Sequence, residues 1–329
     1  MDMSWLVVFW TYAIALFVMI YVLLDGFDLG VGILSGLTRD ERMRGEMVGA
    51  ILPFWDGNEV WLVIAGAGLY SAFPLVYAIV LPAFYLPITL MLIALMFRGV
   101  AFDFRHRAVR MRPLWNGGLW LGSLVAAFVQ GALVGRMVQG LPVLDGRFVG
   151  GSFTWLTPFA VFCGLGLVIG YMLLGAAWLV MKTDGDTREW AYARLGRILA
   201  AVLLILAAAS VYILAEHPRV LERWRIDTWL AAVPLLVILA AWYLYLALRR
   251  RQDRRPYPMA VIIFALSFLG LIGSFWPYII PFSLTLQAAA APEQSLGFLF
   301  YGAGVVLFPL VLVCTAWAYW VRRGKISGT

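Results

Sequence analysis

The chain has 329 residues, of which 63% are hydrophobic and 13% charged, with 15 Trp and 21 Phe. That charged share is about half the level of soluble domains, and a soluble core of this size could not hide so much apolar surface. A net charge of +7 would suggest nucleic acid as the partner of a soluble protein. Here the basic residues gather in short connections between apolar runs, so the expected partner is the lipid bilayer and not nucleic acid.

A spanning helix needs about 20 mostly apolar residues. Nine such runs follow one another, at 5–34, 48–70, 75–97, 115–138, 157–181, 198–215, 228–248, 258–281 and 297–321. Met1-Asp2-Met3-Ser4-Trp5 carries no basic region and no small-x-small site closes the first run, so a retained helix is expected rather than a removed signal peptide. The second and third runs meet at a tight Ser71-Ala72-Phe73-Pro74 turn. Of the 25 Lys and Arg residues, 20 follow the odd-numbered runs and 5 lie on the other side. This bias predicts a single polytopic membrane domain over 1–329, with the N-terminus outside and the C-terminus cytoplasmic.

Acids inside the apolar runs are the most informative feature. Asp25 and Asp28 stand in Leu24-Asp25-Gly26-Phe27-Asp28-Leu29-Gly30-Val31-Gly32, and Asp56 and Glu59 in Trp55-Asp56-Gly57-Asn58-Glu59-Val60-Trp61. An ionised carboxylate at bilayer depth costs at least about 2.5–3.5 kcal/mol, so each needs a partner, a cavity or a proton. Each pair is spaced i,i+3 and shares a helix face. Counted from Ser35 and Glu46, Asp25 and Asp56 both lie roughly 15 Å from the inner ends of their runs, so a pairing of these runs gathers four acids at one level. Neither run contains a Lys, Arg or His. Neighbouring carboxylates disfavour joint ionisation. The cluster therefore reads as a proton-holding path or as acids capped by backbone, Asn58, Trp and Ser donors. Gly26-xxx-Gly30 and Gly32-xxx-Gly36 are spacings that let a second helix approach closely.

His106 and His217 are the only two histidines, and both are expected in loops. They cannot furnish paired imidazole ligands to a haem within the bilayer. No HExxH, Cys/His spacing, Walker loop or GxGxxG is present, so this chain is expected to bind no metal and to be no redox catalyst alone. Cys163 and Cys314, each within an apolar run, read as packing residues.

The same stretches resemble subunit II of the bacterial cytochrome bd-type quinol oxidases. The resemblance runs through Asp25–Gly32, Pro53–Leu62, Phe97–Arg105, Gln139-Gly140, Trp155-Leu156-Thr157-Pro158-Phe159 and Thr315-Ala316-Trp317-Ala318-Tyr319-Trp320. It implies an all-α integral membrane protein of about nine transmembrane helices, arranged as two four-helix groups plus one peripheral helix. It also implies a heterodimer in the bacterial cytoplasmic (inner) membrane with subunit I, which carries two b-type haems, one d-type haem and the quinol site. Such a complex reduces dioxygen to water with cytoplasmic protons and builds protonmotive force by charge separation. In the family the acids matching Asp25 and Asp56 are assigned to a proton path along the subunit interface. Asp28, Asn58, Glu59, Arg98 and Asp103 fall in matched motifs and are expected to support it, with Asp103 in an inner loop paired to Arg98 or Arg105. Small single-helix subunits and a structural quinone occur in some members, and the residues leave both open. The alternatives are a proton- or cation-coupled transporter using the same carboxylates, and a scaffold whose acids only fasten helices.

Overall fold

One helix, α1 (Trp5–Ser35), takes up the whole first run. The computed structural model describes residues 3–108 and 110–325, apart from the side chain of His106. After α1 come α2 (Glu41–Ile51), α3 (Trp55–Ala72), α4 (Pro74–Ala83), α5 (Tyr85–Arg107) and α6 (Arg112–Val138). A small hairpin, β1 (Val143–Leu144) with β2 (Arg147–Phe148), leads to α7 (Pro158–Lys182), α8 (Gly185–Glu216), α9 (Pro218–Ile226), α10 (Thr228–Arg249) and α11 (Pro256–Phe275). A second antiparallel pair, β3 (Tyr278–Ile280) with β4 (Leu284–Thr285), precedes α12 (Leu286–Ala289) and α13 (Glu293–Leu299). A π-helical stretch, Phe300–Leu307, then continues into α14 (Phe308–Val321).

Local chemistry sets these boundaries. The Asp40 carboxylate accepts from the backbone N–H groups of Arg42 and Met43 at 2.8 and 3.3 Å and so starts α2. Thr157 caps α7 through the Ala160 N–H at 3.1 Å, with Pro158 in the first helical position where its missing N–H costs nothing. The turn between β1 and β2 is Asp145-Gly146, both at positive φ (49° and 71°), the backbone that a two-residue hairpin requires.

Among the described residues eight helical segments are long and apolar enough to cross a membrane: α1, α5 to α8, α10, α11 and the continuous Glu293–Val321. The expected span left over, the second, corresponds to α3, 18 residues that carry Asp56 and Glu59 near their start. The expected run 48–70 is in fact two helices, parted at Leu52-Pro53-Phe54. Proline has no N–H to give and clashes with the preceding turn. The run 75–97 likewise divides at Phe84, between Pro82 and Pro87, and α5 then continues through Arg105. Arg98, Asp103 and Arg105 therefore lie on a helix and not in a loop. The backbone of His106 also belongs to α5, and His217 caps the end of α8.

Helices α1, α3, α5 and α6 form one group, and α7, α8, α10 and α11 the other. α7 joins them, packing on both α6 and α1. The segment Glu293–Val321 lies at the periphery with little of its surface covered. The two groups meet where Gly30 of α1 crosses Tyr171 and Gly175 of α7: a Cβ on Gly30 would stand 1.8 Å from the Tyr171 carbonyl oxygen. Only glycine fits that crossing.

Candidate functional site

From Asp25 to Ser35 every residue of α1 is buried. Asp25 and Asp28 thus enter the protein on the one stretch of α1 that no solvent reaches. α3 adds Asn58 and Glu59 from its first turns, and α5 adds Arg98, fully buried. Gly122 of α6 makes room for that guanidinium stem, since a Cβ there would fall 2.6 Å from the Ala94 carbonyl and 3.1 Å from the Arg98 Cβ.

One nitrogen of Arg98, Nη1, donates to Asp25 Oδ1 at 3.0 Å and to Glu59 Oε1 at 2.8 Å. Asn58 Nδ2 donates to Asp28 Oδ2 at 2.6 Å and to the Leu24 carbonyl at 3.3 Å, while its own Oδ1 accepts from the Tyr319 hydroxyl at 2.9 Å. Asp25 Oδ2, Asp28 Oδ1 and Arg98 Nε and Nη2 are buried and have no protein partner among the described residues. Buried polar atoms of this kind are characteristic sites for internal water. On the other side of Asp25, one helical turn back, the Tyr21 hydroxyl faces its carboxylate. Gln130 of α6 donates to Tyr21 Oη at 2.8 Å and accepts from the Tyr171 hydroxyl at 2.7 Å. Polar contacts thus run Glu59–Arg98–Asp25 on one side and Tyr21–Gln130–Tyr171 on the other, with Tyr21 facing Asp25 where the two meet, across five helices.

Expectation and structure differ at three residues. Asp56 does not join the buried cluster. The break at Pro53 puts it in the first turn of α3, where its side chain is exposed and its charge faces the positive end of the helix. Asp103 is exposed and forms no ion pair among the described residues. Arg98 pairs instead with Asp25 and Glu59, and Arg105 with Glu41 (2.7 Å) and Asn116 (2.6 Å). The cluster therefore does contain a base, supplied by a third helix. Sequence reasoning missed this role because Arg98 opens an arginine-rich stretch that reads as a loop. Tyr21, Gln130 and Tyr319 were missed as well. Of these only Tyr21, four residues before Asp25, carried a signal in its spacing.

An aromatic cluster closes the cluster toward the α7–α8 connection. Trp178 stacks on Phe27 with centroids 4.0 Å apart, and Phe54 and Tyr319 pack at 4.7 Å. Lys182 lies over Trp178 and Phe54 and donates to the carbonyls of Arg322 (2.6 Å) and Gly324 (3.2 Å). Arg322 reaches the Pro53 carbonyl at 2.7 Å, so the end of the described chain is strapped over the break between α2 and α3.

The described residues contain no group of three or more His, Cys, Asp and Glu set for a metal ion. His217 is the imidazole whose side chain is described. The rings of Phe275 and Phe282, at 6.1 and 5.2 Å, pack against it, and burial pushes its pKa below the ordinary histidine value.

Comparison with known proteins follows the same outline. The family described as cytochrome bd terminal oxidase subunit II matches residues 6–322. The chain is 30% identical to the cytochrome bd-I ubiquinol oxidase subunit 2 of Escherichia coli (strain K12), covering 97% of this chain and 94% of that one. It is 28% identical to the cytochrome bd ubiquinol oxidase subunit 2 of Bacillus subtilis (strain 168), covering 97% and 96%. The fold superposes on the bd oxidase from Geobacillus thermodenitrificans with a TM-score of 0.78 at 19% identity, covering 97% and 98%. These matches give the transporter reading no support. With its helix order and its two four-helix groups, the chain belongs to the cytochrome bd terminal oxidase subunit II family.

Proposed function

We propose that this chain is the haem-free subunit of a bacterial quinol:oxygen oxidoreductase, that it pairs with a haem-bearing subunit I, and that it helps to bring cytoplasmic protons to the reduction of dioxygen. It sits in the cytoplasmic membrane as one polytopic domain, N-terminus outside, with the arginine-rich connections and the C-terminus inside. Haems in the partner supply electron transfer and dioxygen chemistry. The residues of this chain hold and move protons.

One observation carries the reading. Asp56 stands exposed at the start of α3, and three residues on, Glu59 connects through a single guanidinium nitrogen with the fully buried Asp25. An exposed acid therefore leads to a buried one. Arg98 stays charged and fixes both carboxylates without carrying the proton itself. Arg98 pairs with two of the carboxyl groups, Asp25 and Glu59, and Asp28 lies one turn on, so protonation of one is coupled to the others and a proton taken up belongs to the set; the unpaired oxygens of Asp25 and Asp28 are where water completes the path. Asp56 faces outward at this level, which makes its side of α3 the side that subunit I covers.

The test is Asp25→Asn and Asp56→Asn in the complex assembled with subunit I. Haem content, read from reduced-minus-oxidised spectra, should match the parent. Quinol-driven dioxygen consumption should fall by about 10²-fold, the lower end of what a positioned proton-transfer group contributes. Full turnover in a fully haem-loaded variant overturns the proton-path role.

A further inference from the structure

α8 is 32 residues long, or about 48 Å at 1.5 Å per residue, which exceeds the roughly 30 Å of hydrocarbon it has to cross. Its uncharged part is Ile198–Ala215, about 27 Å long. Seating that part in the hydrocarbon puts Arg194 and Arg197 at the level of the phospholipid phosphates. Beyond them the helix shows Leu204 and Val211 to the outside, 73% and 67% exposed, so acyl chains line this face.

The two arginines differ from their neighbours. Arg188 pairs with Asp253 at 3.2 Å and Arg251 with Glu189 at 2.6 Å. Among the described residues Arg194 and Arg197 have no acidic partner. Each donates only to its own helix, to the Trp190 carbonyl at 3.1 Å and the Ala193 carbonyl at 3.3 Å. An arginine has five N–H donors, so most of this capacity stays open. Arg194 Cζ also lies over the Trp190 ring, 3.7 Å from its centroid. That contact holds the guanidinium plane in place and lowers the entropy cost of binding a phosphate. Two guanidiniums three residues apart share one helix face, and a phosphodiester accepts such donors in bidentate pairs.

We infer that Trp190, Arg194 and Arg197 form a binding site for the headgroup of an anionic phospholipid, whose chains lie along the Leu204 and Val211 face of α8. The experiment uses the purified complex reconstituted in phosphatidylcholine bilayers, with spin-labelled phosphatidylglycerol or spin-labelled phosphatidylcholine as the probe. A membrane-level arginine contributes about a fivefold preference for anionic lipid. The parent should therefore favour phosphatidylglycerol by at least that factor, and Arg194→Gln with Arg197→Gln should lose the preference. Trp190→Leu keeps both charges and should weaken it. Arg39→Gln, an exposed arginine at the same end of the bundle, should leave it intact. The proposal is overturned if the parent shows no preference, if the double variant keeps it, or if Arg39→Gln lowers it equally. Loss of the preference on adding inorganic phosphate would also overturn it, by assigning the site to a free anion.

Discussion

Replacing Arg98 by Met removes the only base in the acidic cluster and keeps most of its volume. Asp25 is fully buried and loses its one hydrogen-bonded partner, whereas the Glu59 side chain is 26% exposed and can turn toward water. The cost therefore falls on Asp25. Leaving one member of a buried pair alone costs about 3–5 kcal/mol. At roughly 2–4 °C per kcal/mol, the melting temperature of the purified complex should drop by on the order of 10 °C. Asp25→Asn alone retains the Arg98–Glu59 pair and should cost about 1–3 kcal/mol. The double variant Asp25→Asn/Arg98→Met no longer contains the stranded carboxylate, so it should melt above Arg98→Met alone. A thermal melt of the four proteins, followed by loss of the monodisperse peak in size-exclusion chromatography, completes the cycle. If Arg98→Met melts with the parent, or the double variant falls by the sum of the two singles, the guanidinium does not neutralise Asp25 and the assignment of the cluster is wrong.

Gly30→Ala would push a methyl group against the Tyr171 carbonyl, and because backbone cannot swing aside, yield of folded chain should collapse; a normal yield would show that α1 and α7 are not held at this distance. Glu41 accepts from Arg105 at 2.7 Å and from Asn116 at 3.0 Å, so Glu41→Gln should lower stability by about 1 kcal/mol as α2 loosens from α5 and α6, and an unchanged melt would refute that tie. Asp253 lies outside the spans: burial pushes its carboxyl up, but hydrogen bonds from Lys325 and Tyr192, with the charges of Lys325 and Arg188, hold it below the ordinary carboxylate value. A folded value that is depressed gives stability above the unfolded value and loses it as pH falls through the folded one, so the contribution of Asp253 to docking of 322–325 should be complete at pH 7, weaken from about pH 4 downward and be lost as pH falls through the lower folded value. A spin label at Gly324→Cys should be immobile at pH 7 and gain mobility as pH falls below about 4, and Asp253→Asn should raise its mobility at pH 7 without freeing it, because Lys182, Arg322 and the Lys325–Asp184 pair (2.6 Å) still hold the segment; equal mobility in all three cases removes the role of Asp253.

Apolar length and composition made the long helices legible, because lipid forces every backbone group to be satisfied inside a helix. The same rule hid the breaks at Pro53 and Phe84. A helix interrupted inside a bundle keeps its hydrophobic run, and nothing in composition separates it from a continuous span. The acids were legible as a problem of charge, but their solution was not. Arg98 comes from a helix more than 70 residues away from Asp25 in the chain, and only packing puts the two within 3.0 Å. Asp56 shows the opposite failure: counting residues along one continuous helix placed it beside Asp25, and the break turned it outward. α9 escaped notice because nine residues are too few to cross a bilayer and mix Arg219, Arg223 and Arg225 with Val220 and Trp224.

The position of Asp25 along α1 ties the mechanical and chemical roles of this helix together. Before Asp25, α1 alternates between covered and open residues; from Asp25 onward it is covered on all sides. The acids therefore mark the point where α1 passes between the two helix groups, and the Gly30 crossing follows five residues later. A charge is costly at such a place, so the fold brings a base from α5 and an amide from α3 to meet the acids, while groups of α6 and α7 bond to Tyr21 and to one another beside them. Those contacts connect one four-helix group with the other through Tyr21, Gln130 and Tyr171. The arrangement that satisfies the buried carboxylate is thus also the one that carries a polar route across α1, and weakening it should loosen the joint and interrupt the route together.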